Sequence, residues 1–83
     1  MSFSIIWDER AYRELEKLES IVAKRIAKKV DELSENPYSK DIIKLKGGEG
    51  FRLRVGDYRV IFLIEESKII ILKVGHRKHI YER

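Results

Sequence analysis

Arg52, Arg54 and Arg59 stand where two short alternating runs meet, and Arg77 follows in a later basic segment. The stretch 51–63, Phe-Arg-Leu-Arg-Val-Gly-Asp-Tyr-Arg-Val-Ile-Phe-Leu, alternates apolar and polar residues on both sides of Gly56-Asp57. That pattern predicts two antiparallel strands joined by a two-residue type II′ turn. Such a turn sets Val55 opposite Tyr58, Arg54 opposite Arg59 and Leu53 opposite Val60. One face then carries Phe51, Leu53, Val55, Tyr58, Val60 and Phe62, a packing surface, and the other carries Arg52, Arg54 and Arg59. Like charges directly opposite weaken a ladder. At ~5 Å two unit charges repel by roughly 1 kcal/mol in water, against the ~0.2–1 kcal/mol that a favourable cross-strand pair contributes. A bound anion is the simplest reason for the cluster.

The rest of the chain must position these groups. Ser2 to Trp7 is short and rich in β-branched and aromatic residues, which predicts a first strand. Asp8 can cap a helix over about 9–18, with Ala11, Leu15 and Leu18 at helical spacing and Tyr12 beside them. Ser20 is the cap candidate for a longer second helix, whose stripe of Val22, Ala23, Ile26, Ala27, Val30 and Leu33 ends before Asn36-Pro37. The short connection makes these a helical hairpin lying on a sheet. Lys24, Arg25, Lys28 and Lys29 on the second helix form a solvated face or a contact for RNA. Tyr38 to Gly50 loses helical periodicity and reads as a loop containing the short element Ile42-Ile43-Lys44-Leu45-Lys46. Its glycines are a flexible lead-in rather than a phosphate loop, because the Lys and Ser/Thr of that motif do not follow.

Ile69 to Val74 is a nearly continuous apolar run, suited to a central strand. Its register decides where Lys73 points. A two-residue loop after Glu65 turns Lys73 into the core; a three-residue loop, or a bulge near Gly75, places Lys73 and Arg77 on the arginine face. The cost of an unpaired buried ammonium favours the second arrangement. The expected architecture is α+β, one domain over 1–83. An N-terminal strand and a helical hairpin pack on a mainly antiparallel four-stranded sheet, in the order β-α-α-β-β-β.

The charge is unevenly distributed. Of a net +4 over 83 residues, residues 40–59 carry +3 and residues 73–83 another +3, while 1–39 and 60–72 each carry −1. The excess falls on the hairpin and the tail, which suggests a polyanion-facing patch, with nucleic acid as the partner. Lys44, Lys46, Lys73 and Lys78 are the RNA-binding candidates beside the arginines. With no cysteine the chain has no disulfide framework and no thiolate metal site, and it suits a reducing cytoplasm. The opening residues lack the pattern of a signal peptide, and no apolar run approaches the ~20 residues of a membrane span.

The segments Phe-Arg-Leu-Arg-Val-Gly-Asp-Tyr-Arg at 51–59 and Val-Gly-His-Arg-Lys-His-Ile-Tyr at 74–81 together resemble the paired signature of the RelE/ParE toxin superfamily of toxin–antitoxin systems. The resemblance spans the chain. It implies the RelE branch's activity, a metal-independent cut of mRNA in the ribosomal A site. A ribose 2′-hydroxyl attacks the adjacent phosphate, leaving a 2′,3′-cyclic phosphate and a 5′-hydroxyl end. It implies no cofactor, a RelB-like antitoxin as partner and as the route to any oligomer, and a place in the cytoplasm with the ribosome. Arg59 and Arg77 match the family's phosphate-stabilising arginines, and Tyr81 matches a C-terminal tyrosine that orients or stacks on the substrate. Arg52 and Arg54 fall where the best-studied branch has lysines. Because arginine is a poor general base, His76 becomes the first candidate for proton transfer, with Lys44, Lys46, Glu49 and Tyr81 as the others. His76 also admits a plain reading as the cap of its strand. Two further functions fit the same fold: a ParE-like inhibitor of DNA gyrase, and a catalytically weak RNA- or partner-binding domain.

Overall fold

In a computed structural model, described for residues 2–48 and 50–80, the chain runs β1 (Ser4–Trp7), α1 (Glu9–Glu16), α2 (Ser20–Glu32), β2 (Ile42–Lys44), β3 (Phe51–Val55), β4 (Tyr58–Glu65) and β5 (Lys68–His76). The strands form one sheet in the order β1-β5-β4-β3-β2. Only the β1–β5 pair is parallel among the described strands.

Asp8 caps α1 as expected: its backbone is extended and its carboxylate accepts from the Arg10 amide at 3.2 Å. The helix stops at Glu16, two residues short of the expected 18, where the Lys17 amide turns back to the Glu14 carbonyl at 3.3 Å. Ser20 is not a cap. It is the first residue of α2, and Glu19 holds the cap position without a side-chain bond.

Among the described residues the expected four strands are five. Ile42–Lys44, read from the sequence as a short element inside a loop, pairs antiparallel with β3 as an edge strand, Ile43 opposite Arg52. Three residues are too few for an alternating pattern to register. The β3–β4 hairpin has the expected register, with Val55 opposite Tyr58 and Arg54 opposite Arg59. Gly56 adopts φ +58° and Asp57 does not share a positive φ, the pattern of a II′ turn.

The β4–β5 connection combines both arrangements weighed for it. Glu65 pairs with Lys68 across a two-residue turn, which alone would turn Lys73 inward, but the ladder slips at a bulge. Ile71 lies opposite Phe62 and Lys73 opposite Ile61, so Leu72 is the extra residue. The bulge sits three residues before Gly75, and it returns Lys73 to the outer face.

One face of the sheet is packed. Ala11, Ile26, Val30 and Leu33 from the helices meet Leu53, Val55, Val60, Phe62, Ile69, Ile71 and Val74. Burying each large side chain contributes about 1.5–3 kcal/mol. Phe62 is fully buried and stacks on Phe51 at 5.5 Å between ring centroids. Trp7, Phe51 and Tyr58 pack against this core, Phe51 and Tyr58 on the face that the alternation of the hairpin assigns to them. No helix among the described residues is long and apolar enough to cross a membrane.

Candidate active site

Strand register builds the basic face row by row. Ile43, Arg52, Ile61 and Lys73 lie side by side across β2, β3, β4 and β5; Arg54, Arg59 and Gly75 form the next row toward the hairpin turn. Every one of these positions alternates with a core residue, so the side chains share the face opposite the helices. Arg52, Arg54, Arg59 and Lys73 are thus brought together. Arg77, one residue beyond β5, is tied to the same corner. Its amide donates to the Asp57 carbonyl at 2.7 Å, and its Nε lies 3.4 Å from the Asp57 carboxylate.

The guanidiniums are not equivalent. Arg54 Nη2 donates to Asp41 Oδ1 at 2.8 Å, and its amide donates to the Asp41 carbonyl at 2.9 Å. The hydrogen bond from Arg54 holds the Asp41 carboxyl below its ordinary range; the charges of Arg54, Lys40 and Lys29 add to this and desolvation opposes it. The repulsion between Arg54 and Arg59 is therefore relieved in part inside the protein. This corrects the sequence-based view that an external anion is its simplest remedy. Arg59 has a different environment: its Nη1 donates to the carbonyls of Gly56 at 2.8 Å and Tyr58 at 2.9 Å. Carbonyl oxygens orient a guanidinium without cancelling its charge, so Arg59 is held differently from Arg54 and Arg77, which each meet a carboxylate.

His76 does not join this face. It pairs with Tyr58 and so points to the core side, where its ring meets the Tyr58 ring edge-on at 5.4 Å. Its Nδ1 accepts from the Lys78 amide at 3.1 Å and its carbonyl accepts from the amides of His79 and Ile80. The strand-capping reading of His76 describes this geometry; proton transfer on the arginine face does not. Lys44 and Lys46 line, with Arg52 and Ile43, a hollow of about 520 Å³ beside β2. Lys78 is exposed beyond β5. Ile80 is buried and fits over Gly75, where a Cβ would meet its Cδ1 at 3.2 Å. Tyr81 and Glu49 lie outside the described residues.

Two carboxylates of the site, Asp41 and Asp57, were not singled out as functional by sequence. Asp57 is visible only as a turn former. Asp41 becomes a neighbour of Arg54 because β2 pairs with β3, and the strand that would have revealed it is the one the hydropathy pattern hides.

Residues 5–81 match the family model described as the ParE toxin of the type II toxin–antitoxin system parDE. The chain is 31% identical to the mRNA interferase toxin RelE of Escherichia coli K12, over 94% of this chain and 86% of that protein. It is also 31% identical to toxin RelE3 of Methanocaldococcus jannaschii, over 94% of both. The crystal structure of an archaeal RelE–RelB complex from Pyrococcus horikoshii OT3 superposes with a TM-score of 0.82 at 30% identity, covering 95% of this chain and 99% of that one. With its paired arginine segments, its helix-backed sheet and this match over nearly its whole length, the chain belongs to the RelE/ParE superfamily of type II toxin–antitoxin toxins.

Proposed function

We infer that this chain is the toxin of a toxin–antitoxin module, a ribosome-dependent endoribonuclease that cleaves mRNA and so inhibits translation. The observation that carries the reading is the gathering of Arg52, Arg54, Arg59 and Lys73 on the sheet face opposite the two helices, with Arg77 tied to its corner. The likeness to proteins named mRNA interferases supports it. In the reaction the ribose 2′-oxygen bonds to the adjacent phosphorus, the bond from phosphorus to the 5′-oxygen breaks, and a 2′,3′-cyclic phosphate and a 5′-hydroxyl result. The 2′-proton goes to a base and the leaving 5′-oxygen takes one from an acid. Arg59 and Arg77 meet the charge that builds on the phosphoryl oxygens, without a metal. Arg52 and Arg54 flank the scissile phosphate, Lys44, Lys46 and Lys78 hold the strand on either side, and Tyr81 orients or stacks on it. With His76 on the core side, Lys73 is the lysine that strand register sets among the arginines of the reacting face.

The partner is a RelB-like antitoxin. Exposed Ile43 and half-buried Ile61 and Leu63 share the outer face with the cations, a surface suited to an acidic amphipathic segment. The Pyrococcus horikoshii relative was solved together with its RelB. Primer extension on one message, translated or left untranslated, tests the activity. Cuts confined to translated codons are expected. Double-strand DNA breaks with intact message would instead indicate a gyrase inhibitor.

A further inference from the structure

Arg25 differs from the lysines that surround it on α2. Its guanidinium lies face-on against the β3–β4 turn: a Cβ built on Gly56 would meet Nη1 at 3.2 Å, Nη2 at 3.3 Å and Cζ at 3.4 Å. The bare glycine leaves the room it occupies. Among the described residues Arg25 has no ion pair or hydrogen bond, while the nearby Asp57 carboxylate is directed to Arg77.

Arg25 is also one lip of a groove of about 220 Å³ between α2 and the turn. Buried Ile26 and Val55 form its floor; Ile21, 79% exposed, and the half-buried ring of Tyr58 stand at its sides, and Asp57 supplies a carboxylate. Apolar and aromatic walls accept the face of a base. An unpaired guanidinium donates to its phosphate, and a carboxylate can accept from an exocyclic amino group. The groove adjoins the arginine face directly, because Arg59 grips the carbonyl of the same Gly56 from the other side of the turn.

We propose that this groove is a nucleotide subsite on the RNA path, taking a base between Ile21 and Tyr58 and its phosphate on Arg25, next along the strand from the phosphate held by Arg59. The proposal rests on the reading of the protein as an RNA-cleaving toxin and extends its footprint around the end of the sheet. It accounts for an exposed isoleucine beside an uncompensated arginine, which the reaction itself does not use.

The test is a titration of the whole protein with an RNA tetranucleotide, followed by amide proton–nitrogen shifts. Saturable shifts at Ile21, Gly56 and Tyr58 are expected. Arg25→Gln should weaken binding about tenfold and Ile21→Ser several-fold, with the shifts around Arg52 and Arg59 surviving in both. Both variants change exposed side chains, and their own spectra report whether they fold. Shifts confined to the Arg59 side, or affinities that neither substitution changes, overturn the subsite and leave the nuclease reading standing. An oligoglutamate peptide that produces the same groove shifts at equal affinity also overturns it, in favour of an acidic protein partner. No RNA-dependent shift anywhere overturns the subsite, and primer extension on a translated message then decides separately whether the nuclease reading falls with it.

Discussion

Deleting Leu72 should leave the fold and the basic face intact, an outcome opposite to the usual effect of a one-residue deletion in a central strand. Such a deletion ordinarily sends every later side chain to the wrong face. Here Leu72 is the residue in excess: Ile71 already lies opposite Phe62 and Lys73 opposite Ile61, so its loss closes the ladder into regular pairing. The cost is limited to the apolar area of a half-buried leucine, about 1 kcal/mol or less given the 1.5–3 kcal/mol of a fully buried one. In a domain of this size that is a fall in Tm of about 4–8 °C at most. The matched control is deletion of Ile61, directly across the bulge. That deletion reverses the facing of Phe62, which is fully buried in the core, and breaks its pairing with Phe51. Losing one buried Phe costs about 3–5 kcal/mol, a large part of the about 5–15 kcal/mol that holds a small domain together. Thermal melts by circular dichroism compare the two. Equal destabilisation, or an unfolded Leu72 deletion, would refute the assignment of the bulge and with it the placement of Lys73 among the arginines.

Gly56→Ala should destabilise by about 1–2 kcal/mol, because φ +58° disfavours any Cβ, and removing the Arg25 side chain as well should not restore that loss; chemical denaturation of the single and double variants measures it. Asp41 is depressed by Arg54, so its contribution to stability is present above the unfolded value of about 3.9 and is lost as pH falls through the lower folded value. The Tm difference between wild type and Asp41→Asn should accordingly be flat at neutral pH and shrink in acid, and a difference that grows in acid would contradict the sign. His76→Asn can still accept from the Lys78 amide and His76→Ala cannot, so Asn should retain more stability and both should cleave RNA if they fold; loss of cleavage in a folded, stable His76→Asn would restore the histidine to the chemistry.

The hairpin was legible because each signal in it pointed the same way. Alternation fixed its facing, and Gly56 fixed its turn. From these the row of Arg54 and Arg59 followed without any tertiary information. Two features were hidden for physical reasons. β2 is three residues long and gains its identity from hydrogen bonds to β3, which also bring Asp41 to Arg54. His76 follows the alternation of its strand to the core side, whereas its residue type alone suggested catalysis. The facing of Lys73 lay between these extremes: the desolvation cost of an ammonium gave the right answer, and the position of the bulge that achieves it is not marked by a glycine, since Leu72 is the extra residue.

The central claim is that guanidiniums on one sheet face carry the phosphoryl transfer, and single-turnover cleavage of a translated message on ribosomes tests it most directly. Arg59 is held by carbonyl oxygens and keeps its charge, so Arg59→Ala should preserve the fold yet slow cleavage by about 10²–10³, the loss typical of removing one transition-state donor. Wild type should leave 2′,3′-cyclic phosphate and 5′-hydroxyl ends. Cleavage by folded Arg59→Ala at the wild-type rate would contradict the account.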